Sequence, residues 1–259
     1  MIQLTPHNPY EIILEHPFMA AAGSLGFGVH TAPTVQQVQP AALITPSITM
    51  AGRSPNGPNT LHEHRGGLLY AEPWHDPGVQ WVGRRATPVW ATWTIPVIVS
   101  LAGDDAEVVQ AIRELDQVEG VAGFEVALAP SQLSCEALLQ QMRRAATLPL
   151  CIKIPLADPH LLLPLIAQCA AANVDALTLC GAPRVATGGY LSPAFFPLVL
   201  YACQTIAPHT TLPIMACGGI NDYASASACL NAGATAIQIG SLLLRDPDAI
   251  HGMRAQTRI

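Results

Sequence analysis

The sequence predicts an α/β fold, a (β/α)8 TIM barrel with a long loop over the barrel mouth. Three observations predict it. Eight short apolar runs of strand length alternate with segments of helical periodicity. From the third run to the eighth, the starts lie mostly about 25 residues apart, as compact βα units require. Half of the 259 residues are hydrophobic and only 12% are charged. A closed parallel barrel needs that bias, because its strands are buried on both faces. Strand order alone leaves a doubly wound open sheet as the alternative. Residues 1–259 read as a single domain.

The predicted strands are Pro17–Ala22, Ala41–Thr45, Pro96–Leu101, Gly123–Leu128, Leu150–Ile154, Asp175–Cys180, Pro213–Cys217 and Ala234–Ile239. Helix signals fall between them. Asp104 can cap Asp105–Val118, where Val108, Val109, Ile112 and Leu115 share one face. Asp158 followed by Pro159 opens a helix to Ala172; proline fits the first turn, where its missing N–H would have no helical acceptor. Ser192 with Pro193 opens another, to about Ile206, by the same logic. Asn221 or Asp222 opens the one that ends near Asn231-Ala232-Gly233, where the glycine is a natural stop.

One segment breaks the rhythm. Residues 51–95 are rich in Pro, Gly, His and Trp, and hold all four tryptophans. The segment follows the second strand and is expected to lie over the barrel mouth as a loop or lid, since loops of this length are usually functional. Asp76–Ala86 is predicted as its one helix.

The composition excludes several classes of function. Formal net charge is −6 and no basic run stands out, so neither nucleic acid nor an anionic membrane surface is an expected partner. The first seventeen residues lack the basic and apolar regions of a signal peptide. The apolar stretch 161–179 is interrupted by Pro164, Gln168, Asn173 and Asp175 and fails as a membrane span. The seven cysteines form no C-x-x-C pair; they are expected as free, buried thiols of a cytoplasmic protein. No metal site is expected. His62-Glu63-His64 has metal-ligand composition but no evident third ligand.

In a barrel, chemistry sits at the carboxyl ends of the strands. The last two predicted strands end in Cys217-Gly218-Gly219-Ile220 and Gly240-Ser241. Glycines at such ends let backbone N–H groups approach an anion such as a phosphate. The basic residues hold a second signal: eleven of the twelve are Arg, and the one lysine, Lys153, sits in the apolar strand Leu150-Cys151-Ile152-Lys153-Ile154-Pro155. An ammonium inside a barrel must meet a counter-charge or hydrogen-bond acceptors. Three roles are open: an ion pair with a neighbour such as Glu125, an electrostatic clamp on an electron-rich ring, or a Schiff-base nucleophile.

The motifs, taken in order, resemble the dihydroorotate dehydrogenase family, nearer its soluble FMN-binding forms. Asn8-Pro9-Tyr10 and His16-Pro17-Phe18-Met19-Ala20-Ala21-Ala22-Gly23-Ser24-Leu25-Gly26 resemble its opening hairpin, first strand and AAGTFG-like turn. Thr45-Pro46-Ser47-Ile48-Thr49 resembles its T-K-S-I-T, and Pro96–Gly103 its third strand. Gly188-Gly189-Tyr190-Leu191-Ser192-Pro193-Ala194 resembles its GGLSGPA. Cys217-Gly218-Gly219-Ile220, Ile239-Gly240-Ser241 and Arg245-Asp246-Pro247 complete the match, which spans nearly the whole chain.

The resemblance implies a TIM barrel with an N-terminal β-hairpin, holding FMN, and hydride transfer between a small-molecule substrate and flavin N5 in pyrimidine biosynthesis. It implies a homodimer, and it leaves room for an electron-transfer partner subunit. Carried over by matched position, Ala21, Ala22 and Gly23 would lie against the flavin, with Thr45, Ser47 and Lys153 near the ring. Gly189, Ser192, Cys217, Gly218, Gly219, Gly240 and Ser241 would surround the ribityl phosphate. Lys153 would steady the negative charge of the reduced ring.

The chain also departs from the family. Pro46 replaces the second lysine of T-K-S, and Glu125-Val126-Ala127-Leu128-Ala129-Pro130-Ser131-Gln132 replaces the strand that ends in N-x-S-C-P-N and carries the base. Tyr70-Ala71-Glu72 stands at the N-x-x-G loop, and Gly181-Ala182 at the Asn-Thr after the sixth strand. The catalytic-base and orotate-binding motifs are therefore missing, and the substrate need not be dihydroorotate. Ser131 and Cys135 are the nearest replacements for a base, while Tyr70 and His75 in the loop are candidate proton donors. The alternative readings are a non-catalytic flavin- or phosphate-binding subunit and an aldolase or lyase using Lys153.

Overall fold

The computed structural model describes residues 1–53, 61–71, 76–128, 136–182, 184–185 and 188–257, with residues 71, 184 and 185 described by their backbone alone. Among the described residues, fourteen strands follow in chain order. They are β1 (Ile2–Gln3), β2 (Ile13–Leu14), β3 (Phe18–Ala20), β4 (Leu43–Ile44), β5 (Leu61–His64), β6 (Gly67–Ala71) and β7 (Val97–Leu101). Then come β8 (Gly123–Ala127), β9 (Leu150–Pro155), β10 (Ala176–Cys180), β11 (Arg184–Val185), β12 (Gly188–Leu191), β13 (Ile214–Cys217) and β14 (Ala236–Ile239).

Eight of them close a parallel barrel in the order β3-β4-β7-β8-β9-β10-β13-β14. The closing contact pairs β14 with β3, Ile237 to Phe18, Gln238 to Met19 and Ile239 to Ala20. That pairing removes the open-sheet alternative. All eight predicted strands are present, each trimmed by a residue or more where the flanking prolines and polar residues leave the ladder, except β9, which runs one residue longer.

The helices form where their caps expected them. Asp104 accepts from the Glu107 N–H at 2.9 Å and Glu107 Oε2 accepts from the Asp104 N–H at 3.2 Å, a reciprocal box that starts Asp105–Leu115. Asp158 caps Pro159–Ala171 through the His160 N–H at 3.0 Å. Ser192 caps a short turn, Pro193–Phe195, that leads into Phe196–Ile206. Asp222 caps Tyr223–Asn231, and Gly233 takes φ +101° just past its end. Their apolar faces pack on the outside of the barrel, Val108, Ile112, Leu165, Val199 and Cys229 among the buried residues.

The amino end of the barrel is plugged. β1 and β2 pair antiparallel, Ile2 with Leu14 and Gln3 with Ile13, giving the expected hairpin. Leu4, Ile12 and Leu14 are buried and pack with the interior residues Met19, Ile98, Cys151 and Met215. Asp175 ties the hairpin to the barrel: it accepts from Asn8 Nδ2 at 3.3 Å and the Leu150 N–H at 2.7 Å, and pairs with Arg143 at 2.6 Å. Leu14→Ala removes side-chain atoms from a site closed on every side, so it is expected to cost about 2–5 kcal/mol. Urea denaturation measures this, and a loss below about 1 kcal/mol would show that the plug carries little of the stability.

The segment 51–95 is more ordered than a loop. β5 and β6 form a hairpin across the two-residue turn Arg65-Gly66, His64 facing Gly67. β6 then pairs antiparallel with β12, and β12 with β11, giving a four-stranded sheet in the order β11-β12-β6-β5. Gly189 of β12 sits under the Tyr70 ring, where a Cβ would come within 2.2 Å of it. The predicted helix Asp76–Ala86 is shifted. Helical turns run from Val79 to Trp90, with one wide turn at Val82–Ala86. Pro88 explains the wide turn, because proline brings no N–H and its ring crowds the preceding turn. Asp76 stays outside as a brace, accepting from the Thr49 N–H at 3.0 Å, Thr49 Oγ1 at 2.7 Å and the Gly78 N–H at 3.0 Å.

Candidate functional site

Strand alternation layers the barrel interior. Above the apolar base comes a polar layer from alternate strands, Glu125 on β8, Thr178 on β10 and Gln238 on β14. Glu125 is 0% exposed. Its Oε2 accepts from Thr178 Oγ1 at 2.7 Å and from Gln238 Nε2 at 2.6 Å. Gln238 Nε2 also reaches Thr178 Oγ1 at 3.0 Å. The amide is turned so that its donors face the carboxylate, which leaves Gln238 Oε1 without a partner among the described residues. A buried carboxylate is tolerable only when so surrounded.

Lys153 stands one layer nearer the mouth. Its Nζ lies 3.2 Å from Glu125 Oε1, and its side chain is 16% exposed. Burial is the largest single influence and works against its charge, but the Glu125 carboxylate, joined by the Cys180 and Cys217 sulfurs, holds the ammonium above the usual lysine range. Of the three roles open from the sequence, the ion pair with Glu125 is realised. It leaves the lysine a fixed cation, which suits a clamp on developing negative charge. It opposes the Schiff-base role, since that nucleophile needs a depressed pKa.

The other expected residues fall around the same mouth, at the strand ends. Ala21 is buried and its N–H bonds to the Ile239 carbonyl at 2.9 Å, joining the ends of β3 and β14. Ala22 is half-buried, and Gly23 turns outward with φ +81°. Thr45 Oγ1 donates to the Pro46 carbonyl at 3.0 Å and accepts from the Ser100 N–H at 3.0 Å. Ser47 Oγ lies 2.8 Å from Ser100 Oγ. Cys217 is buried at the end of β13. Gly218 and Gly219 follow with φ +106° and +71°. At Gly219 a Cβ would come within 2.2 Å of the Phe196 N, so only glycine lets the strand end pass the start of that helix. Gly240 differs: a Cβ there would meet nothing nearer than Ala21 Cβ at 3.6 Å. The chain's own packing does not require that glycine, and its bareness leaves a cradle between β3 and β14, beside the half-buried Ser241.

Gly189 and Ser192 are placed in the side sheet and its exit. Gly189 is covered by Tyr70, and Ser192 Oγ donates to the Gly66 carbonyl while accepting from the Ala194 N–H at 3.1 Å. His62, Glu63 and His64 lie exposed on β5. Among the described residues no group of three or more His, Cys, Asp or Glu could hold a metal ion, and no helix is long and apolar enough to cross a membrane. Glu72, Trp74, His75, Ser131 and Cys135 lie outside the described residues. A groove of about 420 Å³, bordered by Glu15, Gln39, Trp93 and Arg254, opens beside the amino ends of β4 and β7. It lies away from the strand ends where barrel chemistry is placed.

Two residues of the site were not singled out in the sequence, Gln238 and Thr178. A signal existed. Each is a polar residue inside a short apolar strand, Ala236-Ile237-Gln238-Ile239 and Ala176-Leu177-Thr178-Leu179-Cys180, as Glu125 is in its own. Polar residues at one level of alternate barrel strands must meet.

No protein-family model matches the chain. Among curated proteins it is 28% identical over 273 residues to the dihydroorotate dehydrogenase B (NAD(+)) catalytic subunit of Desulforudis audaxviator, covering 94% of this chain and 88% of that protein. The protein of the same name from Geobacter metallireducens is 26% identical over 274 residues, covering 95% of this chain and 89% of that one. That from Geotalea daltonii is 28% identical over 278 residues, covering 94% and 88%.

Proposed function

We propose, proceeding from the chain's place as a divergent relative of the dihydroorotate dehydrogenases, that it is an FMN-dependent oxidoreductase acting on a small molecule other than dihydroorotate. The observation that carries the reading is the fixed Lys153 cation at the barrel mouth, held by a fully buried Glu125. The donor set around it suits the group. Gly240 leaves a cradle that a side chain would fill, and the half-buried Ser47 brings a hydroxyl to the mouth, backed by Ser100 Oγ at 2.8 Å. FMN, when bound, supplies the hydride-accepting redox chemistry of the reaction.

The chain's own residues have these tasks. Ala21, Ala22 and Gly23 give the ring a surface without bulky side chains. Thr45, Ser47 and Lys153 contact its polar edge, and Lys153 stabilises negative charge there without moving. Gly218, Gly219, Gly240 and Ser241 offer backbone N–H groups and a hydroxyl to the phosphate, with Gly189, Ser192 and Cys217 at its border. The polar layer that would support the group is cross-braced, since each hydrogen bond of Glu125 comes from a different strand.

The substrate differs because the amides that hold orotate are absent. Gly181 stands where the family carries an asparagine, and a side chain there would meet Val199 Cγ2 at 2.5 Å. Each polar group of orotate left unpaired would lose about 1–3 kcal/mol. The relatives are named as catalytic subunits of NAD(+) enzymes, so we expect a second subunit to exchange electrons with this one, in a soluble, cytoplasmic assembly built on a homodimer.

Absorption of the purified protein tests the reading. Flavin bands near roughly 370 and 450 nm, and their bleaching by dithionite, are expected. A protein that is colourless, and stays so after incubation with FMN, overturns it.

A further inference from the structure

Cys180 ends β10 and Cys217 ends β13, and the two are paired in register on adjacent parallel strands. Neighbouring strands lie about 4.8 Å apart, within the Cα separation of about 4.4–6.8 Å that a disulfide spans. Both side chains face the barrel interior. They follow Thr178 and Met215 by two residues, and Thr178 Oγ1 meets Met215 Sδ at 4.0 Å across the same strand pair. The two thiols therefore act on each other across the strand pair, and Lys153 on β9 interacts with both. Cys180 is half-buried at the mouth and Cys217 is 8% exposed behind it. A second pair of neighbouring free thiols, Cys203 and Cys229, lies between two helices in fully buried apolar packing.

We propose that Cys180 and Cys217 form a reactive dithiol, a modification site for small hydroperoxides, in which Cys180 attacks and Cys217 resolves. The groups facing Cys180 are the Cys217 thiol on β13, the Lys153 ammonium on β9 and the Glu125 carboxylate on β8. The neighbouring Cys217 thiol, with the ammonium next, draws the Cys180 thiol below its ordinary range despite burial and Glu125. Its partner is pushed up, by Cys180 first and then by burial. One thiolate nucleophile beside one protonated thiol is the arrangement that disulfide closure needs.

The step balances. The Cys180 thiolate attacks one peroxide oxygen; an S–O bond forms, the O–O bond breaks, and the other oxygen leaves as an alkoxide or hydroxide that takes a proton from water. The sulfur becomes a sulfenic acid, oxidised by two electrons, and the peroxide is reduced to an alcohol or water. The Cys217 sulfur then attacks Cys180; the S–S bond forms, the S–O bond breaks, and the leaving hydroxide takes the Cys217 proton as water. The net change is two thiols and one hydroperoxide to one disulfide, one alcohol or water, and one water. No cofactor takes part, so the inference stands or falls apart from the flavin reading.

The test uses the full chain as purified, reduced, freed of reductant and treated with stoichiometric hydrogen peroxide. The protein is then unfolded in acidic urea, remaining thiols are capped with N-ethylmaleimide, and the product is mapped by mass spectrometry. The expected product lacks two hydrogens, joins Cys180 to Cys217, leaves Cys203 and Cys229 capped, and reverts with dithiothreitol. Cys217→Ser is expected to hold Cys180 as a sulfenic acid that dimedone traps, whereas Cys180→Ser leaves Cys217 a capped thiol. In Lys153→Met, with folding checked by circular dichroism, closure is expected to slow by about tenfold at neutral pH as the thiolate fraction falls. First closure at Cys203–Cys229, indiscriminate oxidation, or no closure in large peroxide excess overturns the proposal.

Discussion

Glu125→Ala is expected to destabilise the fold by about 3–5 kcal/mol, the range for removing one partner of a buried ion pair. The substitution leaves the Lys153 ammonium without its counter-charge at 3.2 Å. It also takes the acceptor from Thr178 Oγ1 and Gln238 Nε2, both inside the barrel. Urea denaturation of parent and variant measures the loss. Two further variants separate charge from hydrogen bonding. Glu125→Gln keeps an acceptor and should lose less. The double variant Glu125→Leu with Lys153→Met removes both charges together, and its loss should fall short of the sum of the singles by about 1 kcal/mol or more. A parent-like Glu125→Ala, within about 0.5 kcal/mol, would show that the network carries no weight.

With the proposed FMN bound, Lys153→Met is expected to lower the two-electron reduction potential of the flavin by about 60 mV or more. A single preorganised donor to developing charge is worth about 2.7–4 kcal/mol, and for a two-electron couple 30 mV corresponds to about 1.4 kcal/mol. The substitution also leaves Glu125 buried and unpaired, so the measurement is best made with Glu125→Gln as the common background. Anaerobic titration against a reference dye reads the potential, and fluorescence quenching reads FMN affinity. Lys153→Arg keeps the charge, but its planar fork does not reproduce a single contact to one carboxylate oxygen; partial recovery is the expected result. An unchanged potential in Lys153→Met would remove the lysine from the flavin edge.

The strands and caps were legible because their causes are local. A parallel barrel strand must be apolar on both faces, so the eight runs announced themselves. Asp104, Asp158 and Asp222 announced their helices because a cap acts within three residues. The side sheet was not legible. Leu61–His64 and Gly67–Ala71 show little alternation, and β6 pairs with β12, more than a hundred residues away. Only that distant pairing makes strands of them. The wide turn at Val82–Ala86 was hidden for another reason, since Pro88 gives equal warrant for ending a helix or bending one.

The candidate site divides in the same way. The lone lysine and the glycine pairs at the strand ends could be read from composition and spacing, because barrel chemistry has a fixed address on the fold. The state of that lysine could not. Lys153 could have been a cation or a nucleophile until Glu125, from the neighbouring strand, was found 3.2 Å away with its other oxygen held by β10 and β14. Cys180 and Cys217 likewise showed no sign of being a pair until register set them opposite each other. By itself the sequence determined the eight parallel strands, their polarity and the end at which chemistry can occur, since these follow from burial and chain order, while the pairing of β14 with β3 closed them into a barrel. Tertiary structure alone decided which charges and thiols meet, because closing the barrel brings residues from separate strands within bonding distance, and only at that distance does one side chain set the protonation of another.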